Sequence, residues 1–148
     1  MASREVAVVA DTSVILKLFF EEADSGKAIL LFQNLAAGTT RILIPDIVPA
    51  EFIDVLRVKY RQRQADAEEC RTILGLFTEL VKKLEIVPTM ALAAEVLDDS
   101  IHYDHACYDI LFVALGKRLE VPLVTADAAL CRKLAPHTGN LILLRDYQ

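Results

Sequence analysis

Five short apolar runs, separated by longer stretches of helical period, leave this 148-residue chain few ways to fold. The runs are 6–10 (VAVVA), 42–45 (ILIP), 84–87 (LEIV), 122–125 (PLVT) and 141–144 (LILL). All are short and mostly rich in β-branched residues and Leu, and several are apolar throughout. Strands buried on both faces of a parallel sheet read this way. The intervals carry helix signals. Asp24 precedes GKAILLFQNLAA, which stops at Gly38, a start and a stop of the expected kinds. Asp46 and Pro49 open a segment that runs to Gln64, proline being tolerated in a first helical turn. Asp66 and Glu69 have the D-x-x-E spacing of a capping box and begin a helix ending near Lys82 and Lys83. Thr89 leads into MALAAEVLDDSI, Asp104 into HACYDILFVALGKRLE, and Asp127 into AALCRKLA, which Pro136 stops. The alternation predicts an α/β fold, a three-layer α/β/α sandwich around a mainly parallel five-stranded sheet, as a single domain over residues 1–148.

Composition agrees. The length is that of one domain. A hydrophobic fraction of 54%, a mean hydropathy of +0.37 and 25% charged residues describe a large core inside a solvated shell. Disordered, collagen-like and mucin-like chains are excluded. The longest stretch without a formal charge, 28–40, has 13 residues, short of the roughly 18 a membrane span needs. The opening MASREVAVVADTS holds Glu5 and an unbroken apolar run of only five residues before Asp11, too few for a signal segment. The expected location is the cytoplasm. Three cysteines (Cys70, Cys107, Cys131) without a CxxC pair suit reduced thiols rather than a disulfide framework. His102, His105 and Cys107 lack the second cysteine pair that a zinc site of this kind needs.

The chemistry lies in the placement of the acids. In an open α/β sheet, ligands bind beyond the carboxyl ends of the strands. Asp11 follows VAVVA directly, and Asp127 comes two residues after Thr125 ends PLVT. Each is equally suited to capping the next helix. Asp109 stands in an apolar neighbourhood, its helical face carrying Ala106, Val113 and Gly116. Burial there costs an unpaired carboxylate several kcal/mol, so the choice is between a structural partner and a metal. Glu51 falls in the first turns of the helix after ILIP, where it complements the helix dipole, and Asp54, one turn on, is its rival for any further role. Without Asp11, Glu51, Asp109 and Asp127, 17 acids face 16 bases, so these four supply most of the net charge of −5. Four carboxylates sharing a cleft repel one another unless a cation joins them. An all-oxygen set selects a hard ion such as Mg²⁺ or Mn²⁺, and the matching chemistry is phosphoryl transfer.

DTSV at 11–14, PAEFIDVL at 49–56, YDILFVALG at 108–116 and TADAAL at 125–130 resemble, in order and spacing, the four acidic motifs of PIN-domain nucleases. The similarity is greatest to VapC-type toxins of toxin–antitoxin pairs, and it covers nearly the whole chain. The resemblance implies strand order 3-2-1-4-5 and Mg²⁺- or Mn²⁺-dependent endoribonuclease activity leaving a 5′-phosphate and a 3′-hydroxyl. It also implies a homodimer and inhibition by a cognate antitoxin of a type II system. Asp11, Glu51 and Asp109 match the family's three most regular acids, and Asp127 the more variable fourth. Thr12, Ser13 and Thr125 fall beside the acids, placed to support bound water.

Affinity for RNA needs positive charge. The richest stretch is 57–63, with Arg57, Lys59, Arg61 and Arg63 on the helix that carries Glu51 and with Tyr60 available to stack on a base. An ordinary solvated helix end reads the same way. Lys82, Lys83, Lys117, Arg118, Arg132 and Lys133 fall in last helical turns, where the dipole accounts for them. The segment 14–20 (VILKLFF) offers more apolar surface than one short helix buries in a core; it serves either as core or as a partner surface. Among rival enzymes, a haloacid-dehalogenase-like phosphatase needs a second Asp where Ser13 stands, and a receiver domain needs an Asp where the third strand reads IVPT. No G-x-G-x-x-G or P-loop occurs. The rival from another class is a non-catalytic PIN-like protein-binding module whose acids bind a metal only for stability.

Overall fold

The computed structural model describes residues 5–148. The four residues before them, part of the opening stretch read above for a signal segment, lie outside the described residues. Five strands, β1 (Val6–Ala10), β2 (Thr40–Pro45), β3 (Glu85–Val87), β4 (Leu123–Thr125) and β5 (Leu141–Leu143), form one sheet in the order β3-β2-β1-β4-β5. Every pairing is parallel. The helices are α1 (Thr12–Leu16), α2 (Ser25–Ala36), α3 (Val48–Arg61), α4 (Ala67–Val81), α5 (Thr89–Tyr103), α6 (Cys107–Leu119) and α7 (Ala128–Thr138), and a 3-10 turn covers Leu144–Asp146.

Right-handed crossovers send the β1–β2 and β2–β3 connections to one face of the sheet and the β3–β4 and β4–β5 connections to the other. The helix packing follows: α1 with α3 and α3 with α4 on one side, α5 with α6 and α6 with α7 on the other. All strands run the same way, but the direction in which successive strands are added reverses between β1 and β4. That is the switch point at whose carboxyl ends such sheets bind ligands.

The core explains the apolar runs. Val8, Val9 and Ala10, Ile42, Leu43 and Ile44, and Leu123 and Val124 are buried in the three central strands. Burial on both faces fails at the edges: Ile86 of β3 is 47% exposed and β5 is only partly covered. An edge strand has one neighbour, and short strands limit its open backbone. Phe52 and Phe77 stack 3.9 Å apart, and Phe19 meets Phe52 edge-on at 5.3 Å, so α3 and α4 share one aromatic centre with the turn that follows α1. The segment 14–20 thus packs largely as core, with Val14 and Ile15 fully buried and Leu18, Phe19 and Phe20 packed against it.

Several expected boundaries move for identifiable reasons. The capping box at Asp66 and Glu69 forms and starts α4. Asp46 instead accepts from the Thr89 amide at 3.0 Å, tying the end of β2 to the start of α5 while α3 begins at Val48. Asp104 closes α5 in the left-handed conformation rather than opening α6, which starts at Cys107. Pro136 does not stop α7, which runs to Thr138. Proline lacks the N–H that would donate to the carbonyl four residues back, and that residue, Arg132, is exposed.

Candidate active site

The end of β1 fixes the first acid. The Asp11 amide donates to the Val124 carbonyl at 3.2 Å, and its carboxylate, only 7% exposed, caps α1 by accepting from the Val14 amide. It also accepts from the hydroxyls of Ser13 and Thr125. Burial dominates over these bonds and pushes its pKa up to about 6. The hydroxyls are held in turn: the Ala126 amide donates to Ser13 Oγ at 3.0 Å, and the Asp127 amide to Thr125 Oγ1 at 3.0 Å. Ser13, Thr125 and the backbone after β4 form one network around a buried carboxylate.

Glu51 comes from the first turn of α3 and is half-buried; Thr12 Oγ1 donates to its Oε1 at 2.9 Å. Burial raises its pKa, and the nearby Asp11 and Asp109 charges add to the rise against the Thr12 bond. Asp54, the rival acid, turns away to pair with Arg57 at 2.8 Å. Asp109 lies in the first turn of α6, not deep in it. Residues Ile110 to Gly116 are buried, but the Asp109 side chain is 44% exposed and accepts from His105 Nε2 at 2.7 Å. The expected burial of this acid is thus corrected: the helix end opens it to a cleft. Asp127 caps α7 through the Leu130 amide at 3.0 Å.

All four acids, with Thr12 and Ser13, line one cleft of about 210 Å³ whose apolar wall is Leu16, Val55 and Phe112. A larger apolar groove of about 280 Å³ lies apart from the acids, between α3 and α4. Among the described residues no Lys or Arg pairs with any of the four. Nor do any three His, Cys, Asp or Glu side chains there stand close enough to enclose an ion as arranged. Each carboxylate is turned to its own donor instead, as mutual repulsion favours. The donor set, carboxylates and hydroxyls only, fits a hard divalent cation, and a buried Asp11 with a raised pKa is a carboxylate lacking charge compensation.

The basic stretch divides, and α3 ends at Arg61 rather than reaching Gln64, so Arg63 lies beyond the helix in the left-handed conformation. Arg57 is engaged by Asp54, and Lys59 lies 3.9 Å from Glu22 and 4.8 Å over the Phe20 ring. Arg61 and Arg63 border a surface hollow with Tyr60, and among the described residues neither has a carboxylate partner. His102, His105 and Cys107 form no metal cluster. What the sequence does not reveal is the link from Asp109 through His105 to Lys133, because only the fold brings α7 against that turn.

The family model for the PIN domain matches residues 8–134. The chain belongs to the PIN-domain family. Its sheet order and the four acids at the switch point thus sit in a PIN fold. Two solved structures share that fold. The crystal structure of PAE2754 from Pyrobaculum aerophilum superposes with a TM-score of 0.69 at 16% identity, covering 93% of this chain and 83% of that one. VapBC2 from Rickettsia felis, bound to a DNA fragment from its promoter, gives 0.60 at 19% identity, covering 93% and 97%. Among curated proteins no sequence matches. Within this PIN domain, no helix of the described residues is long and apolar enough to cross a membrane.

Proposed function

We propose that this PIN domain is a Mg²⁺- or Mn²⁺-dependent endoribonuclease and the toxin of a type II toxin–antitoxin pair. One observation carries the reading: four acids from four separate segments line a single cleft at the switch point of the sheet. PIN domains are generally nucleases. Asp11, Glu51 and Asp109 would hold the ion, directly or through water, and Asp127 would hold a second or position the attacking water. A bound ion of this kind lowers the pKa of water and offsets the charge that builds on a phosphodiester.

The other roles fall to the chain itself. Ser13 and Thr125 fix the Asp11 carboxylate against β4, and Thr12 fixes Glu51. Leu16, Val55 and Phe112 form a dry wall that strengthens every charge interaction inside the cleft. Water in the cleft would attack phosphorus in line and lose a proton to solvent, and the P–O3′ bond would break as the 3′-oxygen takes up a proton, leaving a 5′-phosphate and a 3′-hydroxyl. Arg57, Lys59, Arg61 and Arg63 bind phosphates, chiefly Arg61 and Arg63, whose charges are uncommitted. The fold shared with VapBC2 supports a cognate antitoxin as partner; a homodimer in the cytoplasm completes the proposal.

The test incubates purified protein with labelled RNA in Mg²⁺ or Mn²⁺ and then with EDTA. Cutting that EDTA abolishes is expected. Stabilisation by metal without cutting would favour the non-catalytic binding module.

A further inference from the structure

Asp109 is an open acid among the candidate ligands, and its carboxylate has nothing in its own helix to hold it. The hold comes from outside α6. His105 Nε2 lies 2.7 Å from Asp109 Oδ2, and on the far side of the ring Lys133 Nζ lies 3.0 Å from Nδ1. Lys133 also reaches the Asp104 carbonyl at 2.9 Å. An ammonium group only donates, so Nδ1 is the acceptor in this arrangement and the ring proton sits on Nε2, directed at Asp109. The His105 side chain is only 19% exposed, so its ring has little freedom to turn away.

We propose that His105, held in one tautomer by Lys133, is a positioning residue that fixes Asp109 with Oδ2 engaged and Oδ1 free toward the cleft. The proposal rests on the metal-dependent reading above. A carboxylate held through one oxygen by a second partner presents the other oxygen in a single orientation. Removing a partner of this kind typically alters metal affinity by about 10–100-fold. Lys133 has a further effect: it couples the start of α6 to α7, the helix that Asp127 caps, so two of the four acids keep a common frame.

The experiment compares the unmodified chain with His105→Phe, which keeps ring bulk and loses the donor, and with His105→Gln, whose amide reaches as far as Nε2. Mn²⁺ binding is measured by calorimetry, and folding by melting in EDTA. His105→Phe is expected to weaken Mn²⁺ binding about 10–100-fold with little change in melting, and His105→Gln to restore most of the affinity. Nitrogen NMR of the unmodified, metal-free chain should place the His105 proton on Nε2. Equal Mn²⁺ affinity in His105→Phe, failure of His105→Gln to rescue while folded, or a proton on Nδ1 would each overturn the role of His105 alone. An unmodified chain that binds no Mn²⁺ would overturn the metal reading of the cleft and this role with it.

Discussion

Removing the charge of Asp11 should make the metal-free protein more stable, although it destroys the proposed site. Asp11 is 7% exposed, and its pKa rises from 3.8 in the unfolded chain to about 6. Because the folded-state value is the higher one, ionised Asp11 opposes folding above pH 6, and the penalty lifts as pH falls toward 3.8. At 1.36 kcal/mol per unit, the full penalty at pH 7.5 is about 3 kcal/mol. Asp11→Asn removes it but reverses one hydrogen bond to Ser13 or Thr125, at a cost of about 1 kcal/mol. The net gain of about 2 kcal/mol corresponds to a melting temperature higher by about 4–8 °C for a chain of this size. Circular dichroism melts in EDTA at pH 7.5, 5 and 4 measure it. The ionisation part should shrink by about half at pH 5 and to about a fifth at pH 4. Saturating Mn²⁺ should reverse the order, stabilising the unmodified chain by about 2.7 kcal/mol at a hundred times its dissociation constant and leaving Asp11→Asn unmoved. An Asp11→Asn protein that melts lower in EDTA at pH 7.5, or a gap independent of pH, would refute the reasoning.

Other changes probe the rest of the molecule. Glu51→Gln and Asp109→Asn should abolish RNA cleavage while the fold, read by circular dichroism, persists. Charge reversal at Arg61 and Arg63 should weaken RNA binding and reduce its salt dependence, by about one unit of slope for each phosphate no longer neutralised; unchanged slopes would take these residues off the RNA path. Gly116 packs α6 on the turn into β4, and an added Cβ would meet the Val121 carbonyl oxygen at 3.0 Å. In Gly116→Ala the strain of that backbone contact should cancel the gain of about 1 kcal/mol that alanine brings inside a helix, so urea unfolding should show no net stabilisation.

How far the sequence alone reaches depends on the range of the interactions. VAVVA becomes β1 with the expected ends, and the box at Asp66 and Glu69 caps α4 as its spacing requires, because both signals are local. The strand order follows from the family resemblance rather than from periodicity, and the parallel sheet agrees with it. Local signals mislead where a side chain serves a distant element. Asp46 has the chemistry of a cap, but the fold presents Thr89 to it, 43 residues away. The apolar sequence neighbours of Asp109 predict its burial, whereas the start of α6 opens onto the cleft. The acids themselves are legible in the sequence, but their donors are not: Thr125 meets Asp11 across 114 residues, and Lys133 meets His105 across 28.

The central claim is that Asp11, Glu51, Asp109 and Asp127 share a divalent cation. Anomalous diffraction from crystals grown with Mn²⁺ tests it most directly. The account predicts a manganese peak in the cleft bounded by these four carboxylates, absent in Asp11→Asn. Well-ordered crystals at saturating Mn²⁺ with no peak there, or with the ion bound only elsewhere, would contradict it.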